Sequence, residues 1–113
     1  MCRIAGILSS RLSSQQTEHN VRLMCDTMQH GGPDDEGLFG DEQANIVFGH
    51  RRLSIIDLSK NGHQPMTDIH QKTCITFNGE IYNYRELKRQ LIGLGASFHS
   101  NTDTEVILMA YLH

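Results

Sequence analysis

The chain has 113 residues, 38% hydrophobic and 20% charged, with a formal net charge of -3; this balance fits one globular domain with a modest core and excludes a disordered chain. No Lys/Arg cluster marks a nucleic-acid or anionic-membrane surface, and no apolar run approaches the ~20 residues of a membrane span or forms a secretory h-region. A soluble, cytoplasmic protein is expected, with Cys2, Cys25 and Cys74 reduced and no metal site among the scattered histidines.

Cys2 directly follows the initiator methionine, so trimming of Met1 would place a thiol and a free α-amino group on one residue. The thiolate is the reactive form of cysteine, and an ordinary α-amino group, titrating at roughly 7.7 to 8.0, can accept the thiol proton without a separate histidine. A cysteine near a terminus is more often a small hydrophobe with no chemical task. Ile4–Leu8 reads as a buried strand that would hold this terminus in place.

Ser9–Ser14 is a polar turn, and Gln15–His30 carries Val21, Met24, Cys25 and Met28 at the spacing of one buried helix face. Cys25 inside that stripe is a packing residue. Residues His30–Gly37 (His-Gly-Gly-Pro-Asp-Asp-Glu-Gly) stop the helix and predict an irregular loop. Asn45–Ile56 is strand-like at both ends but holds Arg51 and Arg52 side by side. A strand with one buried face forces one arginine to snorkel or to meet an anion, so the segment is either a solvated edge strand or a carboxylate clamp.

Asp57–Gln71 reads as a long surface loop, and Thr73–Phe77 as a strand running into the two-residue turn signal Asn78-Gly79, with Cys74 structural. Asn83 and Glu86 resemble a capping box ahead of a Tyr84, Leu87, Leu91, Leu94 stripe that Gly95 ends. Thr102 and Glu105 repeat the box, with Asp103 in the first turn, and Val106–Leu112 is apolar all round, which predicts a buried last helix. The chain stops at His113 without a capping glycine or polar tail and reads as a fragment, or a shortened relative, of a longer protein.

Six stretches then fall into one pattern: Met1-Cys-x-Ile-x-Gly-Ile7, Gly32-Pro-Asp-Asp-Glu-Gly37, Gly49-His-Arg-Arg-Leu-Ser-Ile-Ile-Asp57, Gln64-Pro-Met66, Phe77-Asn-Gly-Glu-Ile-Tyr-Asn-Tyr84 and Thr102-Asp-Thr-Glu-Val-Ile107. In order and spacing they resemble the glutaminase domain of asparagine synthetase, a class II glutamine amidotransferase with the N-terminal-nucleophile hydrolase fold. The resemblance runs from Met1 to about Tyr111. It implies an α+β fold, a partial αββα sandwich of two antiparallel sheets with helices outside, in which residues 1–113 are part of a type 2 amidotransferase domain and the synthetase domain is absent.

The implied activity is hydrolysis of L-glutamine to glutamate and ammonia for asparagine synthesis. By resemblance Cys2 is the nucleophile, the Asn78 side-chain amide and the Gly79 N–H form the oxyanion hole, and Arg52 clamps the substrate carboxylate. Asp103 takes its α-ammonium, and Leu53, Ile55 and Glu80 complete the pocket. No cofactor is implied in this chain, since ATP and magnesium belong to the synthetase domain; that domain or a partner chain, and a homodimer covering open sheet edges, are the macromolecular partners implied. Two positions depart from the pattern. Arg3 stands where a small residue is usual and could lower the thiol pKa of Cys2 or obstruct glutamine, and Gly31 replaces an arginine of the loop over the site. The family's domain is also nearly twice as long, so unpaired edges and open apolar faces are expected. These departures favour a second reading, a non-catalytic relative that binds an amino acid or a partner through its exposed sheet, whereas Cys2, Arg52, Asn78, Gly79 and Asp103 oppose it.

Overall fold

Arg3–Leu8 (β1), Asp35–Asp41 (β2) and Ile46–Arg52 (β3) form an antiparallel sheet in the order β1-β3-β2, in a computed structural model that describes Met1–His113. Because successive side chains alternate between faces, Ala5, Ile7 and Val47 lie on one face with Leu38 and meet the helix Ser14–Thr27 (α1). Val21 and Cys25 of α1 are fully buried there; complete burial of a side chain of this size is worth roughly 1.5 to 3 kcal/mol. Gly49 makes the close approach possible. A Cβ at that position would stand 2.5 Å from the Cys25 sulfur and 2.8 Å from Val21 Cγ1.

The start of α1 is set by a reciprocal capping box. Gln16 N–H donates to Ser13 Oγ at 3.1 Å and Ser13 N–H donates to Gln16 Oε1 at 2.9 Å, satisfying two otherwise orphaned donors.

A second, smaller unit follows. Met66–Thr67 (β4) and Cys74–Ile75 (β5) pair as a two-stranded antiparallel sheet, against which the helix Asp103–Leu112 (α3) packs. Leu91 of the helix Tyr84–Gly93 (α2) joins Ala96 and Val106 in a separate core. Gly95, at φ +100°, ends α2, with Ala96 N–H returning to the Leu91 carbonyl at 2.9 Å and Gly95 N–H to that of Ile92 at 3.0 Å. This Schellman closure turns Ala96 back onto Leu91.

The fold class is α+β with antiparallel sheets, as the resemblance implies. Several local expectations need correction. β1 is buried at Ala5 alone, leaving Ile4 and Leu8 exposed, because α1 covers only one sheet face. The first helix ends at Thr27, with a 3-10 turn over Gln29–Gly31, and Met24 points outward. The expected irregular loop gives way to strand β2 at Asp35, where Asp34 N–H and the Arg52 carbonyl begin the β2–β3 pairing. β3 is the central strand and not a solvated edge. The strand expected over Thr73–Phe77 shrinks to two residues, and Asn78-Gly79 leads toward α2 without a hairpin partner.

Asn83 caps α2 without a side-chain hydrogen bond, and Leu94 is exposed once the chain leaves the helix. At α3 only half of the box forms. Thr102 Oγ1 accepts Glu105 N–H, but the Glu105 carboxylate turns to the loop before the helix, accepting from His99 N–H, Ser100 N–H and Ser100 Oγ. α3 is buried through Val106 and Leu108, yet Tyr111 and Leu112 are exposed, so its apolar second half is not covered.

Gly49→Ala should destabilise the protein by about 1 to 3 kcal/mol, the usual cost of overpacking a closed core. Urea denaturation followed by circular dichroism measures it, with the slope expected to stay unchanged.

Candidate active site

The register of β1 against β3 ends at Arg3 opposite Arg51. One step further out, Cys2 reaches the chain leaving β3: Leu53 N–H donates to Sγ at 3.3 Å, and the thiol donates to the Leu53 carbonyl at 3.6 Å. The sulfur is thereby held at the wall of a cleft of about 80 Å³, well under the several hundred Å³ of a pocket for drug-sized ligands. Cys2, Arg52, Leu53, Ile55, Asn78, Gly79, Glu80 and Asp103 all line it. Every residue assigned a site role from the sequence is therefore brought to one place. Met1 also forms part of the wall.

Strand alternation sends the two arginines to opposite faces of β3. Arg51, on the α1 face, donates through Nη1 to Glu36 Oε2 at 2.7 Å and through Nε to the Gly32 carbonyl at 3.0 Å. Its charge is spent on structure. Arg52, also buried, donates through Nη1 to the Ser59 carbonyl at 2.8 Å and through Nη2 to the Asp57 carbonyl. It has no acidic partner. Two carbonyls aim the guanidinium without neutralising it, which leaves an unpaired cation and further N–H donors beside the cleft. Gly62 permits this, since a Cβ there would lie on the guanidinium.

Asp103, buried in the first turn of α3, supplies the opposite charge. Its Oδ2 accepts Ile81 N–H at 3.0 Å, and no cation pairs with it. The side-chain amide of Asn78 and the N–H of Gly79 donate to no protein acceptor, and both residues are exposed at the cleft. Glu80 is exposed at the rim.

Phe77, immediately before this donor pair, is gripped from both sides. Its N–H donates to Gln64 Oε1 at 2.7 Å, while its carbonyl accepts from Nε2 of His50 at 3.1 Å. Gln64 in turn donates to Thr104 Oγ1 at 3.1 Å, beside Asp103. His50 is wholly buried and its Nδ1 has no partner, so the ring is neutral with the proton on Nε2. Burial pushes its pKa below the ordinary 6.5, partly opposed by the Phe77 hydrogen bond and reinforced by the Arg52 charge. The loop carrying the Arg52 acceptors is fixed as well. Asp57 accepts from Ser59 Oγ, Ser59 N–H and Asn101 N–H, and these bonds hold its carboxyl down at about 2.

Arg3 does not crowd the cleft. It is absent from the cleft wall, and its Nη1 turns back to the carbonyls of Met1 and Cys2. No group of three or more His, Cys, Asp or Glu side chains is placed to hold a metal ion, and no helix is long and apolar enough to cross a membrane.

A family model described as "Glutamine amidotransferase domain" matches residues 1–113. The chain belongs to that family. Among its relatives, asparagine synthetase [glutamine-hydrolyzing] 1 of Bacillus subtilis (strain 168) is 41% identical over 100% of the chain, and asparagine synthetase [glutamine-hydrolyzing] 3 of the same organism is 34% identical over 99%. Asparagine synthetase B [glutamine-hydrolyzing] of Escherichia coli (strain K12) is 32% identical over 98% of it. The chain spans 18%, 18% and 19% of the length of these three relatives.

In this amidotransferase domain the sequence reading passed over His50, Gln64 and Thr104, which fix the segment carrying Asn78 and the helix carrying Asp103. His50, Gln64 and Thr104 stand inside the motifs that carry the resemblance, but nothing in their spacing shows that His50 and Gln64 both reach Phe77, in the irregular segment after β5. A polar residue in a stretch that otherwise reads as strand was the available signal.

Acidification tests the His50 arrangement. A depressed folded pKa means that the unfolded chain binds the proton first, so the stability tied to neutral His50 is fully present above about 6.5 and is lost as the pH falls toward the lower folded value. Thermal midpoints measured from pH 8 to pH 5 should decline below 6.5 in the parent, with a shallower decline in His50→Gln.

Proposed function

We propose that the protein hydrolyses L-glutamine to glutamate and ammonia with Cys2 as nucleophile. One observation supports this above others. A thiol, two unengaged N–H donors, an unpaired cation and an unpaired carboxylate border a single small cleft.

The chemistry follows from those groups. Arg52 takes the α-carboxylate of glutamine through its planar fork, and Asp103 takes the α-ammonium, so the side-chain amide extends toward Cys2. Once Met1 is removed, the α-amino group of Cys2 accepts the thiol proton and later delivers it to the leaving ammonia. Sγ attacks the amide carbon; the oxyanion that develops is met by the Asn78 amide and the Gly79 N–H, which border the same cleft. Loss of ammonia leaves a γ-glutamyl thioester. Water then adds to it, passes through a second oxyanion, and frees glutamate and the thiol.

Within a longer enzyme like its relatives, the ammonia would pass to a synthetase part that makes asparagine, with ATP and magnesium required there and not at this cleft. The free cysteines suit the reducing cytoplasm. A module that merely bound an amino acid would need the two charges but no paired donors beside a thiol. That pair is the reason turnover is favoured.

The test is release of glutamate and ammonia by purified protein whose N-terminus is shown by intact mass to be Cys2. The parent should turn over glutamine and Cys2→Ala should not. Asn78→Ala should lower kcat by about 10²- to 10³-fold, as loss of one oxyanion donor does. Arg52→Lys should act mainly on KM, raising it about tenfold through loss of the two-pronged grip. Folded protein with a free Cys2 that releases no ammonia would overturn the proposal.

A further inference from the structure

The two positions that depart from the family pattern, Arg3 and Gly31, touch each other. Arg3 leaves the end of β1 on the face covered by α1, and its side chain lies across Gly31 in the 3-10 turn after α1. A Cβ at position 31 would stand 2.7 Å from Arg3 Cζ, 2.8 Å from Nε and 3.0 Å from Cγ. Two of these are closer than carbon can sit, so any side chain there obliges the arginine to shift from this seat. From this seat Nη1 donates to the Met1 carbonyl at 2.9 Å and the Cys2 carbonyl at 3.0 Å. Arg3 has no acidic partner.

We propose that Arg3 is a positioning residue for the N-terminal cysteine and that Gly31 supplies the empty volume it needs. The proposal rests on the reading of Cys2 as nucleophile. Cys2 lies one residue outside the last β1–β3 pair, Arg3 opposite Arg51, where the ladder no longer fixes its backbone. Two contacts take over. Leu53 engages the sulfur on the cleft side, and Arg3 engages the backbone carbonyl from the side away from the cleft. Removal of Met1 takes away one acceptor of Arg3 and leaves the other, so the arginine's hold passes wholly to Cys2. A terminal residue held at its carbonyl and its sulfur has little rotational freedom left, and a nucleophile displaced by even an ångström loses rate.

A double-mutant cycle of Arg3→Ala, Gly31→Ala and the pair tests this, with two readouts. One is kcat and KM for glutamine. The other needs no turnover: the rate of Cys2 alkylation by iodoacetamide, followed on the N-terminal peptide by mass spectrometry. Each single change should lower kcat by about fivefold or more with KM within about twofold, and Gly31→Ala should add less than about 1.5-fold once Arg3 is gone, the non-additivity expected of contacting residues. The alkylation rate should show the same pattern, changed by either substitution alone and unchanged by Gly31→Ala when position 3 is alanine.

Equal effects of Gly31→Ala in both backgrounds, or none from Arg3→Ala, would overturn the proposal. If the parent itself releases no ammonia, the glutaminase reading falls, and the alkylation cycle alone decides the Arg3–Gly31 coupling by the same criteria. Should Gly31→Ala not fold, Arg3→Lys replaces it. Retention of Cys2 reactivity by lysine but not by alanine supports the positioning role, and equal behaviour of the two overturns it.

Discussion

The antiparallel pairing of β1 with β3 is the constraint on which the cleft depends. Its register sets Arg3 opposite Arg51, and this carries Cys2 to within reach of Leu53, more than fifty positions away. A slip of one residue would turn every side chain of β1 to the other face. Ala5 would leave the α1 core, and the sulfur would leave the cleft. Packing and site are thus fixed by one register, and the tight contact of Gly49 with Cys25 and Val21 ties that register to the position of α1.

The same alternation sorts charge. Adjacent arginines on a strand must point to opposite sides, so one is neutralised by Glu36 while the other is aimed by backbone carbonyls that carry no net charge. Carbonyl dipoles orient a guanidinium and leave its cationic field available, whereas a carboxylate would cancel it. Asp103 is treated alike, held through one oxygen by the Ile81 N–H. Satisfaction by backbone, without ion pairing, is what distinguishes these two side chains from the structural pair Arg51 and Glu36.

Much of this was legible in the sequence. The assigned site residues follow from the family resemblance of their motifs, since Cys2 by itself reads as a small hydrophobe and Asn78 by itself as a turn residue, whereas the stripe of Val21 and Cys25 follows from helical period. What was not legible depended on partners distant in sequence. Asn83 and Glu86 satisfy the local pattern of a capping box, but Asn83 adopts a backbone conformation at which its side chain makes no cap. Glu105 matches a box as well, yet three donors from His99 and Ser100 outcompete the helix end. β2 was missed because Asp35, Glu36 and Gly37 read as loop residues; pairing with β3 overrides that propensity. Met24, Leu94 and the end of α3 carry apolar character without a surface to meet.

The two hydrophobic cores share no residue, and the cleft lies where their units meet. Cys2, Arg52 and Leu53 belong to the unit of the three-stranded sheet, while Asn78, Gly79 and Asp103 belong to the other. Few ties cross between them, chiefly His50 to Phe77 and Asp57 to Asn101. An amino acid bound as proposed, with its α-carboxylate on Arg52 and its α-ammonium on Asp103, would join the two units across the seam through one carbon. Occupancy would stiffen the joint between the units, and at a concentration 100 times its dissociation constant such a ligand adds about 2.7 kcal/mol to the stability of the folded chain. Under the proposed function, substrate and scaffold would support one another, since the geometry that turnover requires would be held most firmly with the cleft filled.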